Sequence, residues 1–549
     1  MSLFEKHKDA LQNSIEALKT RAYFTLYPEN PKAYPEEKLQ EAKNWFSNAM
    51  NNNFSVLNQE GSQGWIGEEI SPFTQTGIGI KYPQFSVQAA VNLVLSAQTK
   101  WQQTSIEERA GLLLEALENV KERFFDIAIA TMHTTGQSFM MSFQASGPHA
   151  NDRALEAIAM GYAELTRYNH HVKWTKNLGK FDLVIDKDFT PMPKGVGLVI
   201  GCSTFPVWNT VPGLFANLIS GNACIVKPHA KSVLPIAIVI EELQKVLTNN
   251  GFDANTVLMF TDSINEPKTK ELAEKNHVKL IDYTGNSEFG NYIESLPKTT
   301  FTEKAGVNSI IIDSVKDLKA VCGNIAFSAS LYSGQMCTAP QNIFVSSMGI
   351  NSPEGNLSYE NVKDAIVEAF KGLIDNPKAG PGTIGSIQND NTYKRVKDAT
   401  NLGGNILLES KTISNEEFPD ARIATPVVIE LSRDNVNTFG NECFGPIVFI
   451  IKTNDTNDSI ALAKALAEEK GALTCGAYTT DETVMNNIKQ AMNSIFVPVS
   501  FNFTGAGFIN SHAAFSDFHL TGGNKAGNAS FTNADFINRR IVWVGNRYM

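Results

Sequence analysis

The sequence predicts an α/β fold with two parallel sheets, on three observations. From residue 194 to about 300, short β-type runs alternate with helical patterns, and a second alternation runs from 308 to about 500. Between about 172 and 190 a period-two pattern turns over at Asn177–Gly179, as in a β-hairpin arm. With 549 residues and 42% hydrophobic content, the chain can bury the several cores this layout needs.

In chain order, residues 1 to about 100 mix short helical patterns with turns. Ser105 and Glu108 form an S-x-x-E capping box ahead of "RAGLLLEALENVKERFFDIAIATM", which predicts one long helix, and "DRALEAIAMGYAELTRYN" predicts another. After the arm come strands at 195–201, 223–227, "NTVLMF" and "KLIDYT", with "LPIAIVIEELQKVLTNN" as a helix among them. The uncharged stretch from Gly195 to Val226 is long enough to span a bilayer. Pro206, Pro212, Asn209, Asn217 and the Gly221-Asn222 turn interrupt it, and a buried strand–helix–strand unit accounts for the pattern better. No membrane span is expected.

Lys and Arg number 47 against 57 Asp and Glu, a net charge of −10, which argues against a nucleic-acid binder or a polybasic membrane adsorber. The six cysteines, at 202, 224, 322, 337, 443 and 475, show no CxxC pair and no clustering with the nine histidines. No metal site is expected. The opening residues carry no apolar signal core, and reduced cysteines in a cytoplasmic protein are the reading.

Five segments carry candidate chemistry. In "SLYSGQMCTAPQ", Gly334 and Pro340 break regular structure around Cys337, which sets the thiol on a loop. "TTFTEKAGVNSIII" places Glu303 as a carboxylate leading into an apolar strand, where partial burial would raise its pKa towards that of a useful base. "KLIDYTGNSEFG" puts Gly285, Asn286 and Gly290 at a strand-to-helix turn, where backbone N–H groups can approach a phosphate. "CIVKPHAKS" sets Lys227 at the C-terminal end of a buried strand, where ligands of open sheets gather. "GNECFGPIVF" places Glu442 and Phe444 at the mouth of another strand.

In this order and at these spacings, the motifs resemble those of the aldehyde dehydrogenase superfamily. The 34-residue interval from Glu303 to Cys337 is similar to that family's base-to-nucleophile spacing, and "PKGVGLVIGCSTFP" and "GNACIVKP" resemble its cofactor-domain signatures. The likeness runs from about Trp101 to the C-terminus. "IGEEISPF" at 66–73 and "FSDFHLTGGNKAGNASFTNADFINRR" at 515–540 look like the PaaN-type branch, associated with phenylacetate degradation.

The resemblance implies a Rossmann-type cofactor domain over 1–171 and 191–302, and an α/β catalytic domain over 303–510. The hairpin oligomerisation arm and C-terminal tail would take 172–190 and 511–549. It implies oxidation of an aldehyde or semialdehyde to a carboxylic acid, through a thiohemiacetal and then a thioester on Cys337, with Glu303 activating water. Glu442, Phe444, Lys227, Ser203, Gly285, Asn286 and Gly290 would hold the dinucleotide. The partners implied are a small aldehyde, free or CoA-linked, and further copies of the chain as a homodimer or homotetramer, through strand exchange by the arm and "RRIVWVGNRY".

Of three departures from the family pattern, Lys304-Ala305-Gly306 after Glu303 is discounted because adjacent residues on an extended segment point to opposite faces, and two matter. Thr204 stands where the family places an asparagine as oxyanion donor, with Asn209 a stand-in. "KPHA" lacks the family's glutamate, so a 2′-phosphate could pair with Lys231 or His229, which tilts the cofactor towards NADP over NAD. Alternatives at this level are transfer of the acyl group to coenzyme A, a catalytically silent protein of the same fold, and a cysteine hydrolase using His512. Cys202 and the four remaining cysteines read as core packing. His512 and His519 are expected to be solvated near the substrate mouth, and Phe501, Phe503 and Phe508 to line a tunnel or to pack.

Overall fold

A computed structural model describes residues 1–377, 379–517, 519 and 533–549. Its first sheet has five strands in the spatial order Val257–Met259, Cys224–Lys227, Val196–Ile200, Val278–Thr284 and Thr299–Glu303, all parallel. Their runs of Val, Ile and Leu are buried, as strands covered by helices on both faces require. Chain order reverses between Val196–Ile200 and Val278–Thr284, which opens a crevice at the C-terminal ends of those two strands. Along that edge Ile200 pairs with Lys227 and Tyr283, and Thr284 pairs with Glu303.

The second sheet has seven strands. Val427–Ser432, Ile447–Thr453, Asn342–Ser346, Ser309–Ile312, Cys475–Tyr478 and Val499–Phe501 run parallel, and Asn405–Leu408 joins the edge antiparallel. The third is an antiparallel arm in which Asp182–Pro193 lies between His171–Asn177 and Ile541–Tyr548. The N-terminal helix Leu3–Thr20 packs on Ile106–Glu122 and Pro148–Leu165. No described helix is long and apolar enough to cross a membrane.

Three expectations change. The long helix after Ser105 is two, Ile106–Glu122 and Phe124–Thr135, parted at Arg123, whose guanidinium reaches Asp126, Glu241 and Glu242. Ser105 caps the first of them, accepting from the Glu108 N–H. Glu303 does not lead into the apolar strand; it ends a strand of its own, Thr299–Glu303, on the edge of the first sheet. The polar run "TTFTE" has no apolar alternation to announce a strand. The C-terminal strand, expected to exchange between subunits, pairs with the arm of its own chain from Ile541↔Pro193 to Tyr548↔Asp186.

The segment "IGEEISPF" has a structural task. Buried Glu69 accepts the N–H groups of Val233 and Leu234, so its charge sits at the start of helix Leu234–Asn249. Glu68 accepts from Ser263 and Ile264. Most of the other end segment, residue 518 and residues 520–532, lies outside the described residues.

Candidate active site

The Cys337 loop is built on strain held from outside. After helix Leu318–Ser330, three consecutive residues enter the left-handed region: Tyr332 (φ 52), Ser333 (φ 53) and Gly334 (φ 60). Such backbone costs about 1–3 kcal/mol per non-glycine residue and persists only where surroundings fix it. Tyr332 Oη donates to the Thr135 carbonyl at 2.6 Å, and Ser333 Oγ to that of Ile384 at 2.6 Å. Any Cβ on Gly334 would meet the Gly445 carbonyl oxygen at 2.5 Å, so only glycine fits. The Gln335 amide donates to Tyr332 and Ser386 carbonyls and accepts from the Gln388 N–H.

Beyond the cysteine, Asn308 closes the loop. Its amide nitrogen donates to the Cys337 carbonyl at 2.9 Å and the Ala339 carbonyl at 3.0 Å, while its oxygen accepts from Leu473 and Thr474. Sequence reasoning missed Asn308, Gln335, Gln341 and Gln388. Buried amides inside apolar or turn segments were the available signal.

Cys337 lies close to Glu303, with the histidine His519 the unexpected third member. The thiol, a Glu303 carboxylate oxygen and a ring nitrogen of His519 all lie within 4.8 Å of one another. Glu303 is 2% exposed, and among the described residues neither of its oxygens meets a hydrogen-bond donor. Burial, then the charge of Glu303, push the Cys337 thiol well above the ordinary cysteine range. His519 Nε2 stands 3.7 Å from Glu303 Oε1, and burial lowers its pKa. His512 and His519, expected to be solvated, are bonded to each other through their Nδ1 atoms at 3.3 Å, and His519 is 3% exposed. Burial keeps His512 well below the usual imidazole range as well.

Cys337 opens onto a cavity of about 110 Å³ lined largely by apolar side chains, among them Met141, Trp208, Leu331, Met336 and Phe508. Of the three phenylalanines considered for a tunnel, Phe508 lines this cavity. Phe501 packs against the core of the second sheet, and Phe503 is exposed. Asn209 lines this cavity and also a smaller one that contains Glu303. Its amide nitrogen donates to Cys202 Sγ at 3.3 Å, and its oxygen has no partner among the described residues. Thr204 is not among the residues lining either cavity; its carbonyl accepts from Gln137 at 2.8 Å. All six cysteines are free thiols.

The crevice of the first sheet collects the other candidates. Lys227 is buried at its strand end and pairs with buried Asp262 at 2.6 Å. The Ser203 carbonyl accepts from Gln388 Nε2 at 2.6 Å, which ties the cofactor-side loop to the Cys337 side. Gly285 and Gly290 do not offer their N–H groups: Gly285 donates to the Glu303 carbonyl, and Gly290, inside helix Ser287–Ser295, donates to that of Asn286. Asn286 caps that helix through the Phe289 N–H. What remains for a phosphate is the positive end of the helix. Gly290 serves contact instead, since a Cβ there would meet Lys304 Cγ at 2.5 Å. Lys231 donates its backbone N–H to His229 Nδ1, and burial lowers the His229 pKa to about 4.

From the second sheet, Gln341 donates to Phe439 and Asn441 carbonyls and accepts from the Cys443 N–H. Arg395 donates to the Phe444 carbonyl at 2.6 Å. Between these ties stands Glu442, whose carboxyl is raised to about 7 by burial, against the pull of the Gly306 N–H and of Arg395.

The profile of the aldehyde dehydrogenase family matches residues 62–532. The chain belongs to that family. A solved NAD-dependent aldehyde dehydrogenase from Burkholderia multivorans is 42% identical with a TM-score of 0.97, over 100% of this chain and 99% of that one. An alpha-ketoglutaric semialdehyde dehydrogenase of Bacillus subtilis is 23% identical over 69% of this chain and 74% of its own length. A 1-pyrroline-5-carboxylate dehydrogenase of Geobacillus kaustophilus is 23% identical over 78% and 80%.

An aldehyde dehydrogenase needs NAD or NADP as hydride acceptor. The donor set fits one: a buried lysine at a strand end and an anion-favouring helix start lie at the reversal of strand order, and the second sheet contributes half-buried Glu442.

Proposed function

We propose that this aldehyde dehydrogenase oxidises an apolar aldehyde or semialdehyde to the free acid, with Cys337 as nucleophile and Glu303 as base. One observation carries the reading: a thiol that lines an apolar cavity converges with a buried carboxylate at the C-terminal edge of the crevice sheet. Glu303 takes the thiol proton, sulfur adds to the carbonyl carbon, and a thiohemiacetal oxyanion forms. A nicotinamide cofactor held in the crevice would supply the acceptor for the hydride of that carbon. Once it has shed the thiol proton, Glu303 takes one from water as the water oxygen attacks the thioester; the C–S bond breaks, the acid leaves and Glu303 returns that proton to the Cys337 thiolate. Asn209, facing both cavities with one amide hydrogen on Cys202, supplies the oxyanion donor in place of Thr204. Lys227 would hold the adenosine ribose and Glu442, beside Phe444, the nicotinamide ribose, with the helix start at Asn286 available to the pyrophosphate. The test is absorbance at 340 nm with medium-chain aldehydes and each cofactor, where Cys337→Ser must abolish the signal.

NAD is the cofactor this reading favours, against the tilt the sequence gives towards NADP. That tilt rests on a missing carboxylate, and Asp262 beside Lys227 supplies one. Neutral His229 offers no charge to a 2′-phosphate. Equal rates with NADP would reject the assignment. The PaaN-type likeness of the end segments supports a CoA-linked semialdehyde of phenylacetate breakdown, its aldehyde end in the cavity and its carrier outside. Comparing kcat/KM for free and CoA-linked semialdehydes tests this. Product analysis with free coenzyme A separates hydrolysis from acyl transfer. Exposed Phe181, Val542 and Val544 on the arm support a homodimer or larger, to be read by light scattering.

A further inference from the structure

We propose that His519 and His512 form the proton outlet of the active site, taking protons from Glu303 to the apolar cavity. The inference rests on the reading of Glu303 as base. Each turnover of an aldehyde, NAD⁺ and water to a carboxylate and NADH releases two protons. Glu303 takes the thiol proton and must lose it before it can act on water; the proton it then takes from water returns to the departing thiolate, and the product acid loses the second. A carboxylate 2% exposed has no direct route to solvent.

The route is laid out in contacts. Glu303 Oε1 faces His519 Nε2 at 3.7 Å, His519 Nδ1 meets His512 Nδ1 at 3.3 Å, and both imidazoles line the cavity, whose rim includes partly exposed His149. Neighbours hold the rings in place. Arg153 donates to the His512 carbonyl at 3.2 Å and lies over Trp208, whose ring meets His519 edge-on at 4.5 Å. Burial keeps both imidazoles neutral, and only a neutral ring can accept on one nitrogen while donating from the other.

The step balances without any co-reactant. The protonated Glu303 carboxyl closes the gap and its O–H bond breaks as His519 Nε2–H forms. His519 passes its Nδ1 proton to His512 Nδ1, and His512 releases its Nε2 proton to water in the cavity. The charge that leaves is one proton, and return of both tautomers resets the pair. Nothing in the sequence spacing pointed to this pairing.

His512→Ala and His519→Gln test it by stopped flow. Glu303 can store the thiol proton of the first turnover, so the first-turnover burst of NADH is expected at near wild-type rate and amplitude. Steady-state turnover is expected to fall about 10–100-fold, and millimolar imidazole, entering the cavity, should restore it in His512→Ala. Wild-type steady-state rates in both variants would overturn the proposal. So would loss of the burst together with turnover, without imidazole rescue, which is the signature of a merely structural role. Glu303→Gln assayed alongside separates the two readings: full turnover in that variant would remove the base itself.

Discussion

The two parallel sheets contribute to the site from opposite ends. The first presents C-terminal strand ends, with Lys227 at the end of Cys224–Lys227 and Glu303 at the end of Thr299–Glu303. The second presents its N-terminal side, where Cys337 and Glu442 lie in the segments that run into Asn342–Ser346 and Ile447–Thr453. The first arrangement follows the rule for open α/β sheets. The second relies on side-chain amides, since Asn308, Gln335 and Gln341 fix loops that no strand end or helix start would hold. A strand end places a residue through the sheet's own ladder, whereas a strained loop is placed only by what packs around it.

That contrast ranks the substitutions that should break it. Cys337→Ser is expected to remove NADH formation entirely, because a neutral hydroxyl cannot replace the thiolate. Asn209→Ala should lower kcat by about 10²–10³ with little change in KM, while Thr204→Ala changes kcat far less; the reverse ranking would return the oxyanion role to Thr204. Asn308→Ala leaves buried carbonyls and N–H groups unpaired, and should cost about 2–4 kcal/mol in denaturant unfolding. On the other sheet, a comparable loss is not expected from Lys231→Ala, a half-buried residue at a loop.

The smallest effect sharpens the electrostatics. Burial and Glu303 both raise the Cys337 thiol, so at neutral pH it is protonated and its alkylation by iodoacetamide should climb as pH rises through 8 and 9. Removing the charge in Glu303→Gln lowers the thiol pKa towards the ordinary range, so alkylation at pH 8 should be faster in that variant. Aldehyde turnover should be lost in the same variant, since the base is gone; a slower alkylation would show that the charge of Glu303 does not raise the resting thiol.

Much of the first sheet was legible because buried parallel strands write continuous Val, Ile and Leu runs into the chain, as in "GVGLVI" and "CIVK". Thr299–Glu303 was not, since an edge strand rich in threonine has no apolar signature. Cys337, on a loop broken by Gly334 and Pro340, stood out by local chemistry, whereas Glu303, Lys227 and Glu442 stood out only through their order and the family resemblance it carries. Asn308, Asp262 and His519 did not, because each gains its meaning from a partner distant in the chain.

Sequence alone determined the layered α/β fold and the arm, since these depend on patterns of neighbouring residues; the pairing of the loop thiol with Glu303 came from the ordered likeness to a family. The tertiary structure alone decided that Glu303 closes a strand, that Asp262 sits on Lys227 and that two histidines stand behind the base. Contacts between residues far apart in the chain are set by packing and desolvation, and a linear pattern carries neither.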